Sequence, residues 1–267
     1  MKISVVIPTY KPKEYLWECL NSLNEQTFPK HDFEVIIVLN GCFEPWHSDI
    51  THYIATNMNK MNINFIHTEQ GGVSNARNIA LDQVKGEYVT FIDDDDWVSP
   101  RFLELLYEKV SPDIVSICYP YAFNDGDVSH QLGYDKTFVF DSHHTGEWSL
   151  SSKVRKFFSG PCMKLIPMTF IQDRRFDKRF KNGEDSLFMF LISDKINKCR
   201  FTSREAVYYR RFRENSAVTV KRSRGQIVAN QLRMMREYLF MYLKKPFSYN
   251  CNFFITRMLA AFRSMFL

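Results

Sequence analysis

Apolar residues in the first 120 positions alternate between two rhythms. Ile3-Ser-Val-Val-Ile7 is a short β-branched run stopped by Pro8 and reads as a central strand. Lys13 to Gln26 follows as a helix, with Leu16, Leu20 and Leu23 on one face. Glu34-Val-Ile-Ile-Val-Leu39 is the next strand, broken at Asn40-Gly41, a pair suited to a tight turn. Residues 49–60 read as a helix and Ile63 to His67 as a short strand. Gly71-Gly72 then opens a helix from about Ser74 to Lys85, with Gly86 as its expected C-cap. Glu87 to Ile92 is a fourth strand. After it, Ser99-Pro100 reads as an N-cap with proline at the first helical position, starting a helix that carries Phe102, Leu103 and Leu106.

The order β-α-β-α-β-α-β up to about residue 120 predicts a parallel sheet with right-handed crossovers. Three strands end in loops that would share the sheet's carboxyl edge, where open α/β sheets bind ligands: Pro8-Thr-Tyr10, Asn40-Gly-Cys42 and Asp93 to Asp96. Residues 120–160 read as irregular and polar. Adjacent His143 and His144 point apart on any regular backbone, which argues against a metal site there. Structure is expected to resume with Asn182-Gly-Glu-Asp-Ser-Leu-Phe188 leading into an apolar helix, then Ala206 to Arg213, then helices at about 225–243 and 252–266. No internal repeat, Gly-x-Gly-x-x-Gly or Walker loop occurs, so dinucleotide and P-loop readings are disfavoured.

Composition narrows the class. The 267 residues are 45% apolar and 15% aromatic, enough for a proper core and unlike a disordered chain. Six widely spaced cysteines without a C-x-x-C pair argue against a zinc site and for a reducing compartment. Ile3 to Ile7 is too short for a signal-peptide core, and no stretch offers the roughly 18 apolar residues of a membrane span, so a cytoplasmic protein is expected. The net charge of +5 hides an asymmetry. From Arg210 onward 12 Lys and Arg face only Glu214 and Glu237, whereas the preceding residues carry 23 basic and 28 acidic side chains. An acidic body with a basic, aromatic tail points to a tail that meets phosphates or an anionic membrane surface. No nucleic-acid motif accompanies it.

The most informative chemistry lies at Phe91-Ile-Asp-Asp-Asp-Asp-Trp97, directly after the fourth strand. Four adjacent carboxylates repel one another, so a cation belongs beside them. Oxygen-only ligands favour Mg²⁺ or Mn²⁺, usually shared with a substrate's phosphates. Taken alone, the same run also reads as a solvated acidic turn.

Several motifs, in order, resemble the inverting family 2 glycosyltransferases with the GT-A fold, many of which build capsules, O-antigens and other bacterial surface polysaccharides. They are Ser4-Val-Val-Ile-Pro-Thr-Tyr10, Gln26-Thr27, Gly71-Gly-Val-Ser-Asn-Ala-Arg-Asn78, Gly86 through Asp96, Gly183-Glu-Asp-Ser-Leu-Phe188 and Tyr208-Tyr-Arg-x-x-Arg-x-x-Ser216. The resemblance covers roughly residues 1–220. It implies a Rossmann-like, mostly parallel sheet with flanking helices over 1–221, divided into a nucleotide-binding half to about 120 and an acceptor and catalytic half beyond it. Residues 222–267 would then be a basic, amphipathic helical extension.

Residue by residue, the resemblance implies that Pro8, Thr9 and Tyr10 line the nucleotide pocket, with the tyrosine ring against the base. Arg77 would hold the nucleotide near its base or phosphates. Asp93 and Asp95 match a D-x-D pair, with Asp93 near the ribose and the metal and Asp95 on the metal; Asp94 is counted among the nucleotide-binding residues, with a role for Asp94 and Asp96 in only orienting their neighbours as the alternative. Glu184-Asp185 matches the acidic pair that supplies the catalytic base, Asp185 being the better choice. Tyr209, Arg210 and Arg213 match the motif that closes over the leaving diphosphate. The family usually ends its second strand in two aspartates, and here those places are Leu39 and Asn40. Asn40 keeps a carbonyl that can accept from a base N–H.

The expected reaction moves a sugar from a nucleoside-diphosphate sugar, a UDP-sugar on the family pattern, to a hydroxyl of a glycan or lipid-linked acceptor. The metal expected is Mn²⁺ or Mg²⁺. The tail is expected on the inner face of the plasma membrane, with packing on the body or in a homodimer as the alternative. The residues also have a structural reading, with Tyr10 covering the sheet edge, Arg77 pairing with a surface acid and Glu184-Asp185 favouring a helix dipole. A nucleotide-sugar-binding module with a dead active site and a sugar nucleotidyltransferase are the competing functions.

Overall fold

The structure, a computed structural model, describes residues 1–143, 146–213 and 223–266. The N-terminal half alternates as the apolar rhythm predicts: β1 (Ile3–Thr9), α1 (Tyr15–Asn24), β2 (Phe33–Asn40), α2 (Trp46–Asn57), β3 (Asn62–Thr68), α3 (Val73–Leu81), β4 (Tyr88–Phe91), β5 (Trp97–Val98) and α4 (Phe102–Lys109). The chain continues through β6 (Ile114–Ile117), β7 (Tyr119–Asn124), α5 (Asp135–His143), β8 (Glu147–Ser149), a 3₁₀ turn, β9 (Lys164–Pro167) and α6 (Met168–Ile171). It ends with α7 (Glu184–Leu191), β10 (Lys198–Phe201), β11 (Val207–Phe212), α8 (Arg224–Lys244) and α9 (Cys251–Arg263).

Eight strands form one sheet in the order β3-β2-β1-β4-β9-β6-β10-β8. Strands β3, β2, β1 and β4 run parallel, as do β6 and β10, while β9 and β8 run antiparallel to their neighbours. A second sheet, β5-β11-β7, stands beside it. The expected α/β class with a mostly parallel sheet, flanking helices and C-terminal helices is borne out.

Strand alternation explains why both faces are apolar. Val6, Ile36, Val38, Val89 and Phe91 face one core, shared with Ala76 and Ala80 of α3 and Phe188 of α7. Val5, Ile7, Val35, Ile37 and Leu39 face the other, against Leu16 and Leu20 of α1 and Phe102 and Leu106 of α4. Burial on both faces is what turns β1 and β2 into continuous apolar runs.

The C-terminal helices dock on the first of these cores. Met234 and Tyr238 of α8 and Phe253 of α9 are buried there, and the Phe190 ring stacks on Tyr249 with centroids 4.9 Å apart. Ser223 and Gln226 form a capping box at the start of α8, and Asn250 caps α9 by accepting from the Phe253 amide.

Some local expectations are overturned. Helix α3 ends at Leu81, so Gly86 is not its C-cap. A Cβ on Gly86 would lie 2.6 Å from the Ser4 nitrogen and 2.7 Å from the Ile3 carbonyl carbon, so the position requires close backbone approach. Ser99 is not the α4 N-cap, because that helix starts three residues later at Phe102. Its hydroxyl instead donates to the Glu205 carbonyl and accepts from the Val207 amide, tying the acidic turn's far side to β11. Residues 120–160 also contain more order than their polarity suggests. Strand β9, which joins the halves of the large sheet, is too short to announce itself and begins with the wholly buried Lys164.

Candidate active site

Parallel register gathers the site. Strand β1 lies between β2 and β4, so the carboxyl ends of all three open on one edge. Thr9, at the end of β1, donates from its hydroxyl to Asp94 Oδ2 at 2.5 Å. Its carbonyl accepts from Asn40 Nδ2 at 2.7 Å. Tyr10 follows with its ring half exposed at the mouth, and the Lys11 ammonium lies 5.4 Å from the ring centroid. Pro8 is buried within β1, paired in register with Val38.

Asn40 does not face the cleft as expected. It is buried, and its Oδ1 accepts from the Gly72 amide at 2.8 Å while its Nδ2 holds Thr9. The carbonyl expected to read a base is thus already engaged, and the side chain braces three loops. A Cβ on Gly41, whose φ is +68°, would meet the Gly71 Cα at 2.8 Å, so this brace needs glycine beside it.

Arg77, expected to hold the nucleotide, lies between two carboxylates. Emerging from α3 with only 3% exposure, its Nη1 donates to Asp185 Oδ1 at 2.5 Å and its Nη2 to Asp93 Oδ1 at 2.9 Å. Its cation lies over the Phe176 ring, and its Nε has no acceptor. Burial opposes the guanidinium's charge, but Asp185 and Asp93 outweigh it and the pKa rises. With both amino groups committed to carboxylates, Arg77, 16 residues from Asp93 and 108 from Asp185, joins the two acidic motifs.

The four aspartates divide in function. Asp96 is buried and points inward, its Oδ1 accepting from the Arg211 amide at 2.8 Å. Asp95 turns the other way, and its Oδ2 receives Arg213 through Nε at 2.6 Å and Nη2 at 2.5 Å. Burial lifts the Asp95 pKa, Asp93 adds repulsion and Arg213 opposes both. Burial carries Asp94 further, to about 7, against the Thr9 hydrogen bond.

The second acidic motif opens α7. Gly183, with φ of +83°, turns the chain into the helix, and Glu184 and Asp185 occupy its first turn. Burial next to Asp185 pushes Glu184 up to about 7, and its Oε2 has no hydrogen-bond partner. Burial raises Asp185 as well, with Arg77 acting against it.

Strand β11 and the residue that follows it supply the cations. Arg213 reaches Asp95. Arg210 is held beside the cluster by the Tyr134 hydroxyl at 2.7 Å. Tyr209, expected with them, stacks on Trp97 with centroids 5.2 Å apart and turns away from the acids. Ser216 and His144 lie outside the described residues. Arg211 was not anticipated. It bridges Glu18 and Asp125 and packs over Trp97 and Tyr15, anchoring the β11 end to α1. Tyr134 and Lys164 were also missed. Tyr134 sits in a polar segment without periodicity. Burial and then Lys136 lower the Lys164 pKa to about 7, and its ammonium donates to the Gly160 and Cys162 carbonyls beside Asp185.

The donor set fits a hard divalent ion held mainly by a ligand. Among the described residues no group of three or more His, Cys, Asp or Glu side chains is placed to hold a metal unaided. Asp95 carries a full cation, Arg213, on the carboxylate that the metal would use. One or two carboxylates completed by substrate phosphates is the usual arrangement for Mg²⁺.

Residues 4–208 match the sequence family described as glycosyl transferase family 2. Glycosyltransferase GlyA of Streptococcus pneumoniae serotype 4 is 30% identical over 213 residues, 73% of this chain and 29% of its own length. Poly(ribitol-phosphate) beta-N-acetylglucosaminyltransferase TarS of Staphylococcus aureus is 29% identical over 219 residues, 80% of this chain and 36% of its own length. The chain therefore spans about a third of the length of these relatives. The crystal structure of TarS residues 1–349 in complex with UDP-GlcNAc superposes with a TM-score of 0.71 at 27% identity, covering 90% of this chain and 67% of that one.

Proposed function

The chain belongs to glycosyl transferase family 2, and from that premise we propose that it transfers a sugar from a UDP-sugar to a hydroxyl of a surface-polysaccharide acceptor, with inversion. The observation that carries the reading is the convergence of Thr9, Asp93 to Asp95, Arg213 and the Arg77-bound Asp185 at one edge of the sheet. TarS, a poly(ribitol-phosphate) beta-N-acetylglucosaminyltransferase whose structure holds UDP-GlcNAc, makes that nucleotide-sugar the first donor to try.

Tyr10 offers its exposed ring to the base, and the partly exposed Asp93 carboxylate would meet the ribose. Asp95, with Asp93, would hold Mn²⁺ or Mg²⁺, which when bound neutralises charge on the leaving diphosphate. Arg213 and Arg210 add cations at the same place. Asp185 takes the proton from the acceptor hydroxyl as its oxygen bonds to the anomeric carbon and the bond to the diphosphate breaks. A single displacement of this kind inverts the centre. Arg77 suits Asp185 to that role, because a cation 2.5 Å away favours the ionised carboxylate that a base must be. Glu184 lacks such a partner and holds its proton up to about pH 7.

A thermal-shift screen of nucleotide-sugars with Mn²⁺ tests the reading. A ligand at about 100 times its dissociation constant stabilises by roughly 2.7 kcal/mol. A shift with UDP-N-acetylglucosamine, followed by release of free UDP when an acceptor is added, is the expected result. Binding without UDP release in any acceptor mixture would favour a binding module, and no shift with any nucleotide-sugar would remove the function.

The same proposal places the enzyme at an anionic membrane. On the outer side of the C-terminal helices Leu239, Phe240, Leu243, Leu259, Phe262 and Phe266 are exposed, alongside Arg236, Lys244 and Arg263. No helix among the described residues is long and apolar enough to cross a membrane. Sedimentation with anionic liposomes at low salt is the check. A protein that stays in solution, or that buries this face in a dimer, contradicts the membrane placement.

A further inference from the structure

A cavity of about 850 Å³ lies where the inner sides of α8 and α9 meet the residues leading into α7, apart from the acidic cluster. Arg179, Lys181, Arg233 and Arg257 line it, and among the described residues no Asp or Glu does. Arg179 is already neutralised by Asp177 and Glu237. Lys181 and Arg233 are exposed and have no ion-pair partner among the described residues.

Arg257 is the stronger sign. It is 3% exposed, its Nη2 donates to the Phe158 carbonyl, its cation lies 4.8 Å from the Phe253 centroid, and its Nε has no acceptor. Burial pulls its pKa down to about 10, with Tyr238 opposing and a second cation, Arg155, adding to the fall. A guanidinium held in the interior without a carboxylate is costly unless an anion completes it. Arginine's planar fork of donors matches phosphate in particular. Ser186 and Tyr238, hydrogen-bonded to each other at 2.7 Å, put two neutral hydroxyls on the same wall. The volume exceeds what a bare phosphate needs and leaves space for what the phosphate carries.

We propose that this cavity is a second phosphate-binding site, distinct from that of the donor diphosphate, and that it seats a phosphate group carried by the acceptor. Its wall includes Gly183 and Ser186, which flank Glu184 and Asp185, so an occupant is held against the helical turn that presents the base. The assignment to the acceptor rests on the transferase reading; the phosphate site itself does not.

Calorimetry with pyrophosphate tests it on the intact chain, with and without saturating UDP to fill the donor site. The wild-type protein is expected to bind pyrophosphate in the presence of UDP. The double variant Lys181→Ser/Arg233→Ser, both at exposed positions, is expected to lose tenfold or more of that affinity while binding UDP normally. Arg257→Met should lose it further, and if that variant does not fold the surface pair still decides. Displacement of all pyrophosphate by UDP, or equal binding by the double variant, overturns the site. A protein that binds pyrophosphate through these residues but never binds UDP keeps the site and refutes the transferase. Competition then identifies the source, with glycerol 1-phosphate standing for a polyol phosphate and detergent-solubilised polyprenyl phosphate for a lipid carrier. The one that displaces pyrophosphate at lower concentration is the acceptor type, and failure of both overturns the assignment to the acceptor.

Discussion

Arg213 holds the Asp95 carboxylate that the proposed metal would also use, so under that proposal metal and arginine compete for one carboxylate. Asp95→Asn is therefore expected to abolish metal-dependent donor binding in calorimetry. The fold should survive with equal or slightly higher stability, since one of several repelling acids is gone. Full activity of that variant with metal would put the metal elsewhere. Glu184 makes a second prediction at this scale. Its folded pKa, about 7, stands above its ordinary 4.5, so the folded chain binds this proton more tightly than the unfolded chain. Stability of the ligand-free protein should accordingly fall as pH rises from about 5 to about 7.5, by on the order of 2 kcal/mol for this group. Burial gives Asp94 the same sign. Urea unfolding at the two pH values should show the fall, and Glu184→Gln should reduce it; an unchanged slope would mean that Glu184 is not desolvated as described.

Gly86 decides between two accounts of an element boundary. At a C-cap, alanine in place of glycine costs roughly 1–2 kcal/mol through the left-handed backbone. Here the added Cβ meets the backbone of β1, which cannot move aside, so Gly86→Ala should cost about 2–3 kcal/mol in chemical denaturation. A loss below 1 kcal/mol would mean that the β1 backbone yields to the added Cβ. Elements of this kind show what the sequence made legible. Strands β1 and β2 are buried on both faces and appear as unbroken apolar runs; α8 and α9 appear through their helical spacing. Strand β9 is four residues long with a buried lysine at its start, and its place in the sheet depends on pairing with β4 and β6 from distant parts of the chain. The acidic run and Glu184-Asp185 were visible as local motifs. What joins them was not, because the Arg77 bridge and the Asn40 contact to Gly72 are tertiary, and Tyr209 was drawn to the aromatic side by strand alternation that a motif does not record.

The C-terminal helices bear on the molecule as a whole. Met234, Tyr238, Tyr249 and Phe253 lie in the same core as Phe188 and Phe190. Each such side chain contributes about 1.5–3 kcal/mol on burial, and together they approach the roughly 5–15 kcal/mol that holds a typical domain. Residues 1–222 alone are thus expected to lack a cooperative thermal transition by circular dichroism, and a truncated chain melting like the intact one would make the helices dispensable. On the proposed function, this fold positions Asp185 as the base of a single-displacement sugar transfer. That role is tested most directly by measuring, for Asp185→Asn against the wild type, both donor affinity by calorimetry and turnover by UDP release. Glu184→Gln serves as the neighbouring control, since adjacent side chains on a helix diverge by about 100°. Donor affinity should be unchanged and turnover should fall by about 10²–10⁴ for Asp185→Asn, the usual worth of general-base catalysis, with a milder loss for Glu184→Gln. Normal turnover by Asp185→Asn, or turnover lost only because the donor no longer binds, would contradict the account.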